Sequence, residues 1–184
     1  MIWNEVIKGK YIDLRAVTID DAKFIIDLRN DELKNQYIHT TADDVDLQKE
    51  WIRRQICREG DYYFVICGKD GSNLGLASVY NLDLDKQEAE FGRWISWGNA
   101  LQNSESVILA FDFAFKQLGV DSIYVRVMKE NKKVINFWKH FGGMHIGEVF
   151  EMNLWLDKTI VTKEEYFSTL RQKTTKLLRY QPEE

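Results

Sequence analysis

The chain has 184 residues, of which 45% are apolar and 29% charged, and its formal net charge at pH 7 is −4. This length suits one domain with a proper core, and the composition excludes a disordered or membrane-spanning chain. The mild negative charge argues against a nucleic-acid surface, because phosphate binding needs concentrated Lys and Arg. We therefore expect a single domain over residues 1–184.

The cysteines and the N-terminus favour a cytoplasmic protein. Cys57 and Cys67 lack paired spacing and metal-ligand companions, so we expect two reduced thiols and no metal site. The first residues lack a basic region followed by an apolar core. We therefore expect neither export nor a membrane anchor.

The first half of the chain predicts strands and helices in alternation. The predicted elements are a strand at 10–16, a helix of about three turns that includes residues 22–28 and ends at 28–31, a helix at 44–59, and strands at 62–67 and 74–80. Thr18 and Asp21 resemble a capping box ahead of the first helix. Asp70-Gly71, in the short polar link between the last two strands, predicts an antiparallel hairpin.

The stretch from 86 to 143 carries the main pattern. It predicts a strand at 87–97, a polar turn at 98–103, a helix at 104–118, a strand at 122–128 and a helix led by Asn131. From residue 89 onward, every second residue along the first of these strands is apolar, except Arg93. Asn103 or Ser104 can cap the first helix, and Gly119 ends it. The helix N-terminus points backbone N–H groups at the preceding turn, and anions bind there.

The C-terminal part predicts two strands, at 144–149 and 150–156. Thr162 and Glu165 then resemble a capping box. We expect a C-terminal helix at about 163–179, followed by a charged tail.

Several motifs occur in a characteristic order. They are Glu90-Phe91-Gly92, the helix end Phe113-Ala114-Phe115-Lys116-Gln117-Leu118-Gly119, the strand Ile123-Tyr124-Val125-Arg126-Val127, and Glu130-Asn131-Lys132-Lys133-Val134 with Phe141-Gly142. Their order and spacing resemble the GNAT superfamily, the acetyl-CoA-dependent N-acetyltransferases, over most of residues 8 to 160. The resemblance implies an α/β fold with a mixed, largely antiparallel central sheet, split near the middle, and helices on both faces. It also implies acetyl-CoA as co-substrate.

The resemblance assigns the backbone of the strand at 87–97 to the cofactor. The amide of Trp94 would meet the thioester carbonyl, and Ile95 and Ser96 would pair with the pantetheine arm. The alternative is that Trp94 and Ile95 are simply core residues.

The loop that binds pyrophosphate in this family departs from the family pattern here. Leu101 replaces the expected glycine, and its side chain would crowd the backbone N–H groups that close on the phosphates. Asn99, Asn103 and Ser104, with the helix N-terminus, remain as candidate contacts. We expect weakened affinity for acetyl-CoA.

Two positions on the Asn-led helix also match family roles. Asn131 fits the Asn that hydrogen-bonds the cofactor arm, although an N-cap role is equally natural. Trp138 occupies the position of the Tyr that protonates the departing thiolate in many members, and an indole cannot do so. Tyr124, Tyr37 and His140 are the candidates for that role, unless the thiolate leaves without a protein acid.

Glu90 lies where the superfamily often places a general base, on the strand that presents the acetyl group. A Glu on a strand is also often a solvated surface residue. Glu88, two positions earlier, is the fallback base because both side chains would point the same way.

The first loop and the helix that follows it predict the chemical class of the acceptor. Leu28-Arg29-Asn30, the polar loop after it and the helix carrying Trp51 resemble the branch that acetylates amino groups on nucleotide-linked sugars. Arg29 could meet a diphosphate, or it could pair with Asp27 or Asp31. Tyr37 or His39 could contact the sugar.

The sequence therefore predicts direct acetyl transfer to a primary amine, on a nucleotide-linked amino sugar. The alternatives are a protein N-terminus or a polyamine as acceptor, or a degenerate member that binds a ligand or partner without turnover. The expected partner is a small-molecule amine, with no nucleic acid or membrane, and the expected state is a monomer or a homodimer.

Overall fold

The architecture is an eight-stranded sheet with helices on both faces, as a computed structural model shows for residues 3–38 and 40–178. The strands are β1 (Ile7–Lys8), β2 (Ile12–Ala16), β3 (Tyr62–Gly68), β4 (Asn73–Asp83), β5 (Glu88–Ser96), β6 (Ser122–Met128), β7 (Met144–Glu151) and β8 (Leu154–Thr162). The helices are α1 (Ala22–Asn30), α2 (Val45–Ile56), α3 (Ala100–Phe113), α4 (Lys132–His140), α5 (Lys163–Glu165) and α6 (Arg171–Leu177). Single π-helical turns extend α3 over Ala114–Leu118 and join α5 to α6 over Tyr166–Leu170.

The sheet runs in the order β1-β2-β3-β4-β5-β6-β8-β7, and every neighbouring pair is antiparallel except β5 and β6. Two apolar clusters lie on opposite faces. One joins α1 and α2 to β3, β4 and β5, and the other joins α3, α4 and the C-terminal helices to the sheet. The predicted fold class is confirmed.

Several local predictions agree with the structure because a cap or turn residue marked the boundary. Asn131 caps α4, and its side chain accepts a hydrogen bond from the Val134 amide at 3.2 Å. Thr162 caps α5 in the same way, through the Glu165 amide. The Asp70-Gly71 link joins β3 and β4 as an antiparallel hairpin, with Gly71 at φ 84°.

The boundary between the last two strands was predicted in the wrong place. The chain turns at Met152 and Asn153, both with positive φ, rather than between residues 149 and 150. The short edge strand β1 was not predicted. Over the residues that the structure describes, no helix has the length and apolar character that crossing a bilayer requires.

Candidate active site

The sheet opens between β5 and β6. These strands pair in parallel over only three residues, ending at Glu90 opposite Tyr124. The strands diverge beyond that point, and a cleft of about 290 Å³ lies between them, lined by Phe91–Trp94 of β5 and Val125–Met128 of β6. Over the described residues β5 has no further pairing with β6, so its outer backbone groups border the cleft instead of a ladder. The predicted split of the sheet is confirmed.

A β-bulge changes the direction of the side chains along β5. Between Gly92 and Ile95 the strand advances three residues while β4 advances two, and Arg93 has φ 49°. A bulge of this kind re-aims the following side chains. Phe91 and Trp94 consequently pack in the α3 cluster, whereas Ile95 packs in the α1–α2 cluster. The predicted strict alternation, with Arg93 as an isolated exception, is therefore wrong.

Glu90 is the most heavily hydrogen-bonded carboxylate of the cleft. It is 2% exposed, and its Oε1 accepts from Tyr80 Oη at 2.8 Å and from Arg126 Nε at 2.9 Å. Its Oε2 accepts from Asn81 Nδ2 at 2.9 Å and from Arg126 Nη2 at 2.7 Å. Glu90 is therefore a buried, paired carboxylate rather than the solvated surface residue of the alternative interpretation. Its role as a base stays a prediction.

Two consecutive residues of β4 reach the same carboxylate, which a regular strand would not allow. Asn81 adopts φ 50°, in the left-handed region that non-glycine residues rarely enter, and the β4–β5 register shifts just beyond Tyr80. This local irregularity lets both the phenol and the amide donate to Glu90. Strained backbone of this kind concentrates at functional sites.

The N-terminus of α3 differs from the prediction. The helix begins at Ala100 rather than Ser104, and Asn99 is its cap. Asn99 Oδ1 accepts from the amides of Leu101 and Gln102 at 2.9 and 3.0 Å, and Gln102 Oε1 accepts from the Asn99 amide at 2.9 Å. Asn103 and Ser104, the predicted caps, lie within the first helical turns.

The amides that would bind pyrophosphate therefore already have acceptors. The Gly98 amide also donates, to Ser96 Oγ at 2.8 Å. A phosphate would have to replace these side-chain oxygens, because one N–H group cannot fully serve two acceptors. Leu101 is 38% exposed at this end of the helix. The structure thus places a second obstacle, the Asn99 cap, beside the predicted one.

Asn103 has one amide atom paired and the other unpaired. Asn103 donates from Nδ2 to the Gly98 carbonyl at 2.9 Å, whereas its buried Oδ1 has no hydrogen-bond partner within the described residues. Buried polar atoms are normally paired, so Oδ1 is an acceptor suited to a ligand N–H group. Asn103 does not line the cleft, and its contact with the arm of acetyl-CoA stays a prediction.

The predicted cofactor residues fall into two groups. Trp94, Asn131 and Trp138 line the cleft, whereas Ile95 and Ser96 continue β5 beyond it. The rings of Trp94 and Trp138 also belong to the aromatic core, with centroids 6.2 Å apart. The Trp94 side chain thus packs against the core and also lines the cleft, and the role of its backbone toward the cofactor stays a prediction.

The three candidates for the acid that protonates the departing thiolate lie in different parts of the structure. Among the described residues that line the cleft, Tyr37 is present but Tyr124 and His140 are not. Tyr124 lies against Lys158, whose Nζ is 4.3 Å from the ring centroid. His140 Nδ1 contacts the carbonyl of Asn136 on the exposed side of α4. The catalytic role of Tyr124 stays a prediction.

A second cavity, of about 460 Å³, adjoins the cleft. Arg29 and Arg93 line both spaces, and Arg54 and Trp51 of α2 line the second. Arg93 is held by Asp61 through two hydrogen bonds, of 2.6 and 3.0 Å. Of the predicted acceptor residues, Arg29 lines both spaces and Tyr37 lines the cleft. His39 falls outside the described residues.

Several residues of the site were missed from the sequence. They are Tyr80, Asn81, Arg93, Arg126, Arg54 and Glu151. Arg93 interrupting an apolar strand was the available signal, since a charge inside such a strand needs a partner. Nothing in a single sequence pairs Arg126 with Glu90. Within the described part of the chain, there is no cluster of three or more His, Cys, Asp or Glu side chains that could hold a metal ion.

A sheet that splits between β5 and β6, with a cleft at the split, is the arrangement that the resemblance to the GNAT superfamily implies. The family model described as an acetyltransferase (GNAT) domain matches residues 12–144. The chain belongs to the GNAT acetyltransferases and is an N-acetyltransferase. Acetyl-CoA is the typical co-substrate of this family.

Solved structures agree with this assignment. The chain is 30% identical to FdhC, described as a nucleotide-linked sugar GNAT, with a TM-score of 0.78 and coverage of 93% of this chain and 97% of FdhC. It is 20% identical to a mutant of the spermidine N-acetyltransferase SpeG from Vibrio cholerae, with a TM-score of 0.72 over 86% of this chain and 97% of SpeG. A GCN5-related N-acetyltransferase from Brucella melitensis shares 17% identity with a TM-score of 0.80, over 96% and 86% of the two chains. The last two show the fold alone. No curated protein sequence matches the chain.

Proposed function

We propose that the protein transfers the acetyl group of acetyl-CoA to the primary amine of a nucleotide-linked amino sugar. The observation that carries this proposal is the arginine lining of the second cavity. Arg29 and Arg93 join that cavity to the cleft, and Arg54 extends the positive charge along α2. An acceptor whose amine enters the cleft would place its diphosphate among these guanidinium groups, which suit phosphate geometry.

Aromatic and hydrogen-bonding groups complete the acceptor side. Trp51 offers a flat apolar surface in the second cavity, and Thr40 and Thr41 add hydroxyl groups. These groups suit a sugar and a base. The similarity to FdhC, a nucleotide-linked sugar GNAT, supports the same choice.

The polyamine alternative has less support. Spermidine is a polycation and would favour a carboxylate-lined pocket. Among the described residues, no Asp or Glu lines the second cavity, and Asp43, Asp44 and Asp46 lie outside its lining. The similarity to SpeG, at 20% identity, supports the shared fold only.

In the proposed reaction acetyl-CoA supplies the acetyl group on a thioester carbon. Trp94 and Asn131 would hold its arm at the cleft, and Asn103 Oδ1 would accept from one of its amides. The aromatic packing around Trp138 keeps the cleft wall apolar. Such a wall excludes water and strengthens the polar contacts inside the cleft.

The direct test is an acceptor panel. Release of CoA thiol is measured with nucleoside-diphosphate-linked hexoses carrying an amine at C2, C3 or C4, with spermidine and with a peptide of free N-terminus. The proposal expects turnover with a sugar nucleotide and not with spermidine. Preference for spermidine or the peptide would refute the acceptor class. Failure to bind acetyl-CoA in calorimetry would favour the degenerate alternative.

A variant pair tests the role of the arginines. Arg54→Ala should raise the KM for the sugar nucleotide about tenfold, because a charged hydrogen bond contributes roughly 1.5 kcal/mol. Arg53→Ala is the matched control, since Arg53 neighbours Arg54 on α2 but does not line the cavity. Equal KM values for the two variants would show that Arg54 does not meet the acceptor.

A further inference from the structure

Glu90 cannot easily meet an acceptor amine directly. Glu90 lines the cleft, but its side chain is only 3% exposed and donors already occupy both of its oxygens. A general base must lie within hydrogen-bond reach of the proton that it removes. If Glu90 takes a proton from the amine, one of its hydrogen-bond partners has to carry it.

Among the three described partners of Glu90, Tyr80 alone can do so. The Arg126 guanidinium keeps its proton in proteins, and the Asn81 amide does not exchange protons at useful rates. The Tyr80 hydroxyl both donates and accepts, and it donates to Glu90 Oε1 at 2.8 Å. Because its hydrogen points at Glu90, the lone pairs of its oxygen are left for another donor.

The surroundings hold the Tyr80 phenol at the cleft. Tyr80 lines the cleft, and its ring lies against Arg93, whose Cζ is 4.3 Å from the ring centroid. A Cβ atom on Gly92 would lie 2.7 Å from Tyr80 Oη, so only glycine at position 92 leaves room for the hydroxyl. Burial and the neighbouring Glu90 carboxylate raise the pKa of Tyr80 above its usual value, which keeps the phenol protonated at neutral pH.

We propose that Tyr80 is a catalytic residue that relays the proton of the acceptor amine to Glu90, an inference that rests on the proposed acetyltransferase function. As the amine nitrogen bonds to the acyl carbon, its N–H bond breaks and the proton passes to Tyr80 Oη. The Tyr80 O–H bond breaks in the same step, and its proton passes to Glu90 Oε1. The electron pair of the C–S bond leaves with the CoA thiolate. Tyr80 ends as it began, and Glu90 ends as a neutral acid.

The charges around the pair suit this transfer. Arg126 binds Glu151 through Nη1 at 2.5 Å as well as Glu90, so the guanidinium keeps an anionic partner when Glu90 becomes neutral. Within the part of the chain that the structure describes, the other titratable or charged groups facing the pair are Arg93 on β5 and Tyr124 on β6. Both flank the relay without replacing its two hydrogen bonds.

The test compares Tyr80→Phe, Glu90→Gln and the double variant across pH 6 to 9.5, with the best sugar-nucleotide acceptor of the panel. Each single variant should lower kcat about 100-fold, the usual contribution of a positioned base. In each, kcat should rise with pH as solvent takes over the proton. The double variant should be no slower than either single one, because both changes break one relay. In Tyr80→Phe, which leaves the Glu90–Arg126 pair intact, the KM for the acceptor, and its Kd measured by calorimetry without acetyl-CoA, should change less than about threefold.

Two further variants separate the relay from a structural role. Gly92→Ala keeps both side chains but displaces the hydroxyl, and it should reproduce the pH profile of Tyr80→Phe. Tyr62→Phe removes a phenol on β3 that does not line the cleft, and it should behave as the wild type.

The possible results distinguish the relay from the activity itself. Additive losses with the wild-type pH profile would overturn the relay while leaving the acetyltransferase function intact. A wild-type protein that turns over no acceptor of the panel would refute both.

Discussion

Asn99→Ala is the most informative single change. The Asn99 side chain accepts hydrogen bonds from two backbone amides at the position where the family binds pyrophosphate. Asn99 Oδ1 accepts from the Leu101 and Gln102 amides in the structure. Removing a helix N-cap of this kind costs about 1 kcal/mol of stability. The unliganded variant should therefore have a Tm lower by roughly 2–4 °C.

The effect on the cofactor should have the opposite sign. In the wild type, a phosphate must displace Asn99 before it reaches the two amides. In the variant these amides are already free, and the phosphate becomes their cap. Binding should gain at most the free energy of the lost cap, about 1 kcal/mol, which corresponds to a Kd roughly fivefold lower.

Calorimetric titration with acetyl-CoA measures this effect, and Asp44→Ala is the matched control. Asp44 caps α2 through two amides, those of Asp46 and Leu47, in the same manner. Its replacement should lower the Tm similarly while leaving the Kd for acetyl-CoA unchanged. A Kd raised several-fold in Asn99→Ala would refute the reasoning, because it would mean that the Asn99 side chain itself contacts the cofactor. An unchanged Kd would place the pyrophosphate elsewhere.

Two further predictions concern stability. Glu105→Gln should lower the free energy of unfolding by about 3 kcal/mol, because the buried carboxylate accepts from the amides of Lys10, Tyr11 and Ile12 and a carboxamide cannot serve all three. The exposed Glu164→Gln is the control in urea denaturation, and equal midpoints would contradict the prediction. Although burial alone would raise the pKa of Asp112, hydrogen bonds led by that from Arg171 lower it below the usual 3.8. Its stabilisation is complete above about pH 4 and is lost as pH falls further, so Asp112→Asn should flatten the acid limb of the stability curve, and parallel curves would contradict this.

Periodicity and cap residues predicted most of the fold, and the errors have local causes. Three residues near the start of α3 can cap a helix, namely Asn99, Asn103 and Ser104, and Asn99 is the observed cap rather than the predicted Asn103 or Ser104. Asn99 followed three residues later by Gln102 has the capping-box spacing, which neither Asn103 nor Ser104 has. The reciprocal bond from Gln102 makes Asn99 the better cap.

The site itself was harder to predict because it depends on broken periodicity. Alternation assumes a regular strand, whereas Asn81 and Arg93 adopt positive φ and redirect the side chains beside them. Such conformations are uncommon for these residue types, so local sequence does not reveal them. Glu90 was identified by resemblance, but its partner Arg126 lies 36 residues away on another strand. Only the fold brings the two together.

The pairing of Glu90 with Arg126 also explains why β5 and β6 stay joined at the point where the sheet opens. Glu90 is the last residue of β5 to pair with β6, and Arg126 lies two residues beyond its partner Tyr124. The guanidinium therefore spans the two strands where their backbone hydrogen bonds stop, and it replaces part of the lost ladder with charged hydrogen bonds. Its second bond, to Glu151 at the end of β7, ties the far side of the cleft to the same point. Glu90 and Arg126, which hold the two strands together where the sheet splits, thus also lie beside Tyr80. The geometry of the proposed relay and the width of the cleft therefore depend on the same ion pair.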